Sequence, residues 1–405
     1  MTTEWQTLGR RLRDAREQTG FNQEEVASLV GVSRPTLSQI EGGKVRLDSL
    51  TLRKLANLYR RPLETFFADD QPLRPALEQQ VFERLNLRVA GDRVTIGHFL
   101  AFADNLAWLR DILGRKRKEP PAPHSIGPHA RKYAAEVAAR EERSWLGLGD
   151  APIGEQLYEL LGTLGLPVYR ARLEDEHVAG LLVQHHVAGP VIFVNARQYR
   201  WRQVFTAAHE YGHFLFHRSD QPVACRIFAS ELESIDVTGE AFVNAFVSEF
   251  LMPENGIKRL LVEMGAAAGR LGAEEVVRLQ RHFGVSFQAM LYRLLRLRLL
   301  GEADVQQLKD ETRPVVVAWK LDYPVEADEF GESSDDEDDV GHRVAQRFPR
   351  EYLTLALQAF EENRISNGRA AELLELNRGE FDRVYRRAKS AATQHRDENL
   401  EGVVA

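Results

Sequence analysis

The chain has 405 residues, of which 43% are hydrophobic and 28% charged, and it contains one cysteine. This composition excludes a disordered or fibrous chain and an intramolecular disulfide, and no run approaches the roughly 20 apolar residues of a membrane span. The N-terminus is polar and does not resemble a signal peptide. We therefore expect a cytoplasmic protein of two or three domains that has no membrane partner.

The net charge of −7 has a local origin. Ten Asp and Glu residues and no Lys or Arg lie between Asp322 and Asp339, and the rest of the chain carries +3. A segment with so much charge and so few apolar residues is expected to be a disordered linker. The net charge of the whole chain therefore does not exclude nucleic-acid binding by the other segments.

The distribution of apolar residues, glycine and proline divides the chain into five expected parts. They are an all-α domain at 1–68, a helical connector at 69–150 with a proline linker at 119–123, an α+β domain at 151–321, the acidic linker at 322–341 and a C-terminal helical module at 342–405. In the α+β domain, strands are predicted at 168–171, 177–183 and 191–195, and helices at 199–217 and 239–251. The predicted fold is mostly α with one small sheet, and no internal repeat is evident.

A pair of short helices is predicted in the N-terminal domain, with Gly31 at the break and Ser33 capping the second helix. Such a pair can place its second helix in the major groove of DNA. The polar residues on or beside that helix are candidates for contacts with bases or phosphates: Ser33, Arg34, Thr36, Ser38 and Gln39, with Gln23 and Lys44 at the flanking backbone.

Residues 1–68 resemble the XRE-type helix-turn-helix family of phage-repressor-like regulators, including the opening Leu8 to Arg13 and the stretch Ser49 to Ala56. The resemblance implies that the domain binds operator DNA as a homodimer. This segment contains 11 basic and only 8 acidic residues. DNA binding should therefore depend on a few specifically positioned side chains and not on a large net positive charge. The alternative is a helical bundle that binds protein only.

A His-Glu-x-x-His sequence, His209 to His213, lies on the predicted helix at 199–217. Histidines four residues apart share a helix face and can bind one Zn²⁺, with Glu210 beside the open coordination position. A catalytic zinc needs a third protein ligand. His217 is about 12 Å from His209 along an unbroken helix, too far to share the ion, so we interpret it as a supporting histidine.

The candidates for the third ligand are Glu240 and Glu249 on the following helix. They are nine residues apart and therefore lie on opposite sides of the helix, so only one of them can face the metal. Their spacing does not decide which one does.

Residues 153–300 resemble the ImmA/IrrE family of zinc metallopeptidases, through Phe205 to His213, Glu240 to Asn244 and Phe250 to Pro253. The resemblance implies a zincin-like domain in which a small sheet packs on the helix of the His-Glu-x-x-His sequence. It also implies Glu240 as the third zinc ligand, Glu210 as the general base of peptide hydrolysis, and XRE-type repressors as substrates. The group that stabilises the oxyanion is not identified by the sequence, and Tyr211 and His217 are the candidates; strand 191–195 is the candidate for holding an extended substrate by strand addition.

Two functions are consistent with these features. The first is a DNA-binding regulator with a zinc metallopeptidase domain that senses or cleaves a partner protein. The second is a non-proteolytic repressor or antitoxin that binds its operator and neutralises a toxin, in which case the metal is structural or regulatory. In the C-terminal module, residues 365–374 look like the start of another helix-turn-helix, but a packing or dimerisation role is favoured over a second DNA reader.

Overall fold

We describe the protein from a computed structural model of the chain. The structure describes residues 3–19, 21–59, 66–67, 78, 81–82, 85, 87, 89–122, 132–185, 187–217, 223–225, 239–266, 271–321, 323 and 340–389. The acidic segment predicted to be a linker lies outside the described residues, except for Tyr323 and the two residues that follow Asp339. None of the helices in the described part of the chain has the length and hydropathy of a membrane span.

Four described helices form the N-terminal domain: α1 (Thr3–Gln18), α2 (Gln23–Val30), α3 (Arg34–Glu41) and α4 (Ser49–Leu58). The side chain of Asn22 accepts a hydrogen bond from the backbone of Glu25 and thereby caps α2. Gly31 then reverses the chain in the left-handed region, at φ 82°. Ser33 caps α3 as predicted, because its side chain accepts from the backbone N–H of Thr36.

The described elements of the middle of the chain follow in order as α5 (Ala90–Ile112), α6 (Lys132–Trp145), α7 (Gln156–Thr163), β1 (Val168–Ala171), β2 (Gly180–His185), β3 (Gly189–Asn195), α8 (Arg200–Phe216), β4 (Val223–Cys225) and α9 (Gly239–Leu251). After them come α10 (Glu254–Glu263), α11 (Ala273–Phe283), α12 (Phe287–Arg296), α13 (Glu302–Glu311) and α14 (Pro314–Lys320). The C-terminal module contains α15 (Val340–Arg347), α16 (Arg350–Glu361), α17 (Asn367–Leu373) and α18, residues 378–389.

The strands form one sheet of order β1-β3-β2-β4, in which β3 is parallel to β1 and antiparallel to β2. β3 is therefore an interior strand, and all of its residues are buried. The prediction that residues 191–195 hold a substrate by strand addition is wrong, because both edges of β3 are already paired. Among the described strands, β1 and β4 are the edges of the sheet.

Alternate residues of the strands supply two separate cores, one on each face of the sheet. Leu182 and Ile192 face the core that contains α8 and α9, whereas Leu181 and Phe193 face the core that contains α5 and α16. Covering of both faces explains why the strands are apolar almost throughout. The predicted fold class, mostly α with a small sheet packed on the helix of the His-Glu-x-x-His sequence, is confirmed.

The C-terminal module packs on the sheet face opposite α8. The rings of Tyr352 and Phe102 meet edge to face with centroids 5.0 Å apart, and Phe348 contacts Tyr169 at 5.4 Å. Arg110 of α5 holds the module through two hydrogen bonds to the carboxylate of Glu351, of 2.8 and 3.0 Å. The module therefore has the packing role expected of it.

Candidate functional site

Helix α8 is buried along nearly its whole length and carries His209, Glu210 and His213 in its second half. It packs against α9 at Gly212, where a methyl group would lie 2.8 Å from Cγ1 of Val243. The missing side chain at this position lets the two helices approach closely. That approach brings Glu240, at the start of α9, to the two histidines of α8.

The three side chains meet at one point. Nε2 of His209 lies 3.0 Å from Nε2 of His213. The carboxylate oxygens of Glu240 lie 3.1 Å from the first nitrogen and 3.3 Å from the second. The histidines are 2% and 3% exposed, whereas the Glu240 side chain is 55% exposed, so the cluster opens to solvent on the glutamate side.

The protonation states of these groups suit a metal. Burial lowers the pKa of His213, although Glu240 opposes this effect. Hydrogen bonds from His209 and His213 lower the pKa of Glu240. Neutral imidazole and ionised carboxylate are the forms that coordinate a cation.

The cluster fits a zinc ion by its chemistry. Two imidazole nitrogens and one carboxylate are a ligand set found in catalytic zinc sites, which leave a fourth position open. All three ligand atoms lie within 4.8 Å of one another, and no other such cluster occurs in the described part of the chain. Nδ1 of His213 lies 3.3 Å from Nδ1 of His217, so His217 supports a ligand and does not join the cluster, as expected.

Glu210 follows His209 and is fully buried. The sheet leaves room for its carboxylate at Gly180 of β2, where a methyl group would lie 2.9 Å from Oε1 of Glu210 and 2.4 Å from Cγ2 of Thr206. Gly180 was not identified from the sequence. The sequence signal that could have identified it is a glycine in a strand, because such a glycine often marks the close approach of another group.

The second candidate for the third ligand, Glu249, lies away from the cluster. Its buried carboxylate forms an ion pair with the buried guanidinium of Arg293, and Arg140 approaches it to 3.5 Å. Burial lowers the pKa of Arg293 to about 10. Glu249 is thus a structural anion, and of the two glutamates only Glu240 reaches the histidines.

Tyr211 is also directed away from the cluster. Its ring is fully buried, and its hydroxyl donates a hydrogen bond to the carboxylate of Glu142 on α6. Burial raises the pKa of Tyr211, and the neighbouring Glu142 adds to this effect. The expectation that Tyr211 stabilises an oxyanion is wrong, because the only polar atom of its side chain is engaged inside the core.

The predicted DNA-contacting residues lie on α2 and α3 or directly beside α3. Five of them are exposed: Ser33, Arg34, Ser38, Gln39 and Lys44. Ser33 and Thr36 share a hydrogen bond of 2.7 Å at the start of α3. Gln23 donates to Glu41 at 2.8 Å, and Glu41 is paired with Arg16 at 2.6 Å. This buried pair, which the sequence did not reveal, holds α1 against α3.

Comparisons with known proteins match two separate segments. Residues 7–66 match a helix-turn-helix domain, and residues 162–295 match the IrrE N-terminal-like domain. The HTH-type transcriptional regulator PuuR of Escherichia coli is 33% identical over 93 residues, which are 23% of this chain and 49% of that protein. ImmR of Bacillus subtilis, also an HTH-type transcriptional regulator, is 34% identical over 65 residues, 16% of this chain and 51% of its own.

The chain thus spans about half the length of the curated relatives it matches. A solved structure, a Mycobacterium tuberculosis transcriptional regulator, matches over 48% of this chain and 52% of that chain, at 19% identity. Its TM-score of 0.28 is too low to indicate a shared arrangement. The two segment matches carry the assignment: the chain contains an XRE-type helix-turn-helix domain followed by an IrrE-like domain.

Proposed function

We propose that the protein is a DNA-binding transcriptional regulator whose IrrE-like domain is a zinc metallopeptidase that senses or cleaves a partner protein, such as an XRE-type repressor. The observation that carries this proposal is the convergence of His209, His213 and Glu240 beside the buried Glu210. Structural zinc sites are usually closed by four protein ligands, and a solvent-facing cluster of three is more consistent with catalysis.

His209, His213 and Glu240 would hold the metal. When bound, zinc supplies a Lewis acid that polarises a peptide carbonyl and makes a water acidic. The carboxylate of Glu210 takes the proton of the attacking water as general base and later delivers it to the nitrogen of the leaving amine. Glu210 is fully buried beside Gly180 of the sheet, and the exclusion of bulk water from its carboxylate strengthens these electrostatic interactions.

The cleavage assay uses zinc-loaded full-length protein with three classes of substrate: the chain itself, XRE-type repressors encoded at the same locus, and an unrelated protein as control. Fragments are identified by mass spectrometry. We expect wild type to cut a repressor, and Glu210→Gln to keep zinc while losing about 10²- to 10⁴-fold in rate. If zinc-loaded wild type cuts none of these proteins, the non-proteolytic repressor or antitoxin replaces the peptidase.

The DNA-binding half of the proposal rests on the exposed residues of α3. Residues 7–66 match a helix-turn-helix domain, and two relatives that match part of the chain are regulators of the HTH type by name. Arg34 and Gln39 would contact base edges or phosphates, with Gln23 and Lys44 at the flanking backbone. We propose a homodimer, because two recognition helices one helical turn apart read a two-fold symmetric operator.

A further inference from the structure

The last three helices of the C-terminal module repeat the arrangement of α1 to α3 in the same register. The turn is the clearest part of the repeat. Val32 donates its backbone N–H to Ala27 at 2.9 Å, and at the equivalent positions Leu376 donates to Ala371 at 2.9 Å. The residue before each donor is left-handed, Gly31 with φ 82° and Glu375 with φ 56°.

The caps of the helices correspond as well. Asn22 accepts from the backbone of the third residue after it, and Ser366 does the same at the start of α17, at 2.9 and 3.2 Å. Ser33 accepts from Thr36 at 3.2 Å, and its equivalent Asn377 accepts from Glu380 at 2.9 Å. Each helix therefore begins at the same point relative to the turn.

The buried residues follow the same register. Eight N-terminal core positions have a buried C-terminal equivalent, in the pairs Leu8 and Tyr352, Leu12 and Ala356, Ala15 and Ala359, Phe21 and Ile365, Val26 and Ala370, Ala27 and Ala371, Val30 and Leu374, and Leu37 and Phe381, whereas Val384, the equivalent of the buried Ile40, is half-buried. A shared core pattern with shared caps and a shared turn defines one structural unit, so α16 to α18 form a second helix-turn-helix.

The exposed side of α18 is basic. Its exposed charged side chains are Arg378, Arg383, Arg386, Arg387 and Lys389. The two acids of the helix have other contacts: Glu380 accepts from the backbone of Asn377, and Asp382 accepts from Asn367 at 2.7 Å. Arg378 and Arg383 occupy the positions that correspond to Arg34 and Gln39 on α3.

We propose that α16 to α18 are a second DNA-binding unit, with α18 as its recognition helix. The packing of the module is consistent with this role, because Phe348, Tyr352 and Glu375 contact the sheet or α5 while the basic residues of α18 stay exposed. Glu375 fixes the unit to the sheet through Tyr169 at 3.0 Å and to α5 through His98 at 2.6 Å. A basic second helix of a helix-turn-helix can enter the major groove of duplex DNA, where its positive charge is attracted to the phosphates.

No internal repeat was evident from the sequence, and the proposed DNA-binding role is additional to the packing role of the module. The repeat is hard to see in the sequence because Glu375 stands where the N-terminal unit has Gly31, and Gly379 stands where it has Pro35. The C-terminal unit thus lacks the glycine of the turn and the proline in the first turn of the following helix, although its backbone geometry is the same.

The test measures binding of full-length protein to a mixed-sequence duplex over a range of salt concentrations. The background carries R34A/Q39A, so that the N-terminal unit contributes little. Adding R383A/R386A/R387A should weaken binding and reduce the slope of log affinity against log salt by about 2.7, at about 0.9 for each phosphate that an arginine no longer neutralises. The variant R259A/R278A/R313A makes the same change in charge on exposed arginines of the IrrE-like domain and its flank, and it should leave the slope unchanged.

Thermal unfolding checks that the C-terminal variant is folded, and R383K/R386K/R387K, which keeps the charges, should retain the slope. The proposal is overturned if the C-terminal alanine variant and the matched control give the same affinity and slope. It is also overturned if the basic helix prefers single-stranded RNA to the duplex in competition. Neither result bears on the N-terminal unit, which is tested separately by its own substitutions.

Discussion

Gly180 of β2 and Glu210 of α8 approach so closely that one methyl group on the glycine would lie 2.9 Å from Oε1 of the glutamate. The same methyl group would lie 2.4 Å from Thr206 and 3.1 Å from the carbonyl oxygen of Phe193. The sheet therefore determines the position of the side chain that we propose as general base. A small change on β2 should affect the chemistry without touching a metal ligand.

Gly180→Ala tests this relationship. The added methyl group should displace Glu210, lower the cleavage rate at least about tenfold and destabilise the fold by about 1–3 kcal/mol, while zinc stays bound. Cleavage rate, zinc content and urea unfolding measure the three effects. Gly162→Ala is the matched control, because a methyl group there meets nothing within 4 Å. A cleavage rate equal to that of wild type would show that Glu210 does not depend on this contact.

Glu240→Ala and Glu249→Ala should have opposite effects. Loss of Glu249 removes the buried partner of Arg293 and leaves Glu136, at 3.4 Å, as an ion-pair partner, so it should cost about 3 kcal/mol of unfolding free energy. Loss of the half-exposed Glu240 should cost little in metal-free protein but should lower zinc affinity. Urea unfolding in chelator and zinc titration separate the two. Equal zinc affinities in the two variants would contradict the assignment of the third ligand.

Tyr211→Phe should act on stability alone. The hydroxyl donates to the buried carboxylate of Glu142, so its removal leaves that carboxylate with one partner fewer and should cost about 1–3 kcal/mol. Folded Tyr211→Phe protein should cleave at the wild-type rate. A lower kcat in fully folded Tyr211→Phe protein would show that Tyr211 has a role in catalysis.

Arg34→Ala and Gln39→Ala should each weaken operator binding by about 1–3 kcal/mol, because both side chains are exposed on α3 and are not part of its core. The operator is first selected from a random duplex pool with wild-type protein. Footprinting and titration then compare the variants with Arg278→Ala, an exposed arginine on α11. Unchanged footprints would show that α3 is not the recognition helix.

Local signals in the sequence predicted most of the helices and their ends. The bounds of α9 and β1 agree with the predicted ranges, and the cap at Ser33 was predicted from residue type. Long-range pairing was not predictable. The choice between Glu240 and Glu249 depends on Arg293, more than 40 residues later in the chain, and the interior position of β3 depends on a strand order that no local pattern encodes. β4, with three residues, is too short to give a periodic signal.

Zinc content of purified protein tests the central claim most directly. Wild type and Glu210→Gln, after loading with zinc and removal of the excess, should retain about one zinc per chain, because a site with two histidines and one glutamate needs no other protein ligand. His209→Ala, His213→Ala and Glu240→Ala should retain far less, and Glu249→Gln is the control for a carboxylate outside the cluster. If wild type retains no zinc, or His209→Ala retains as much as wild type, the ligand set proposed here is wrong.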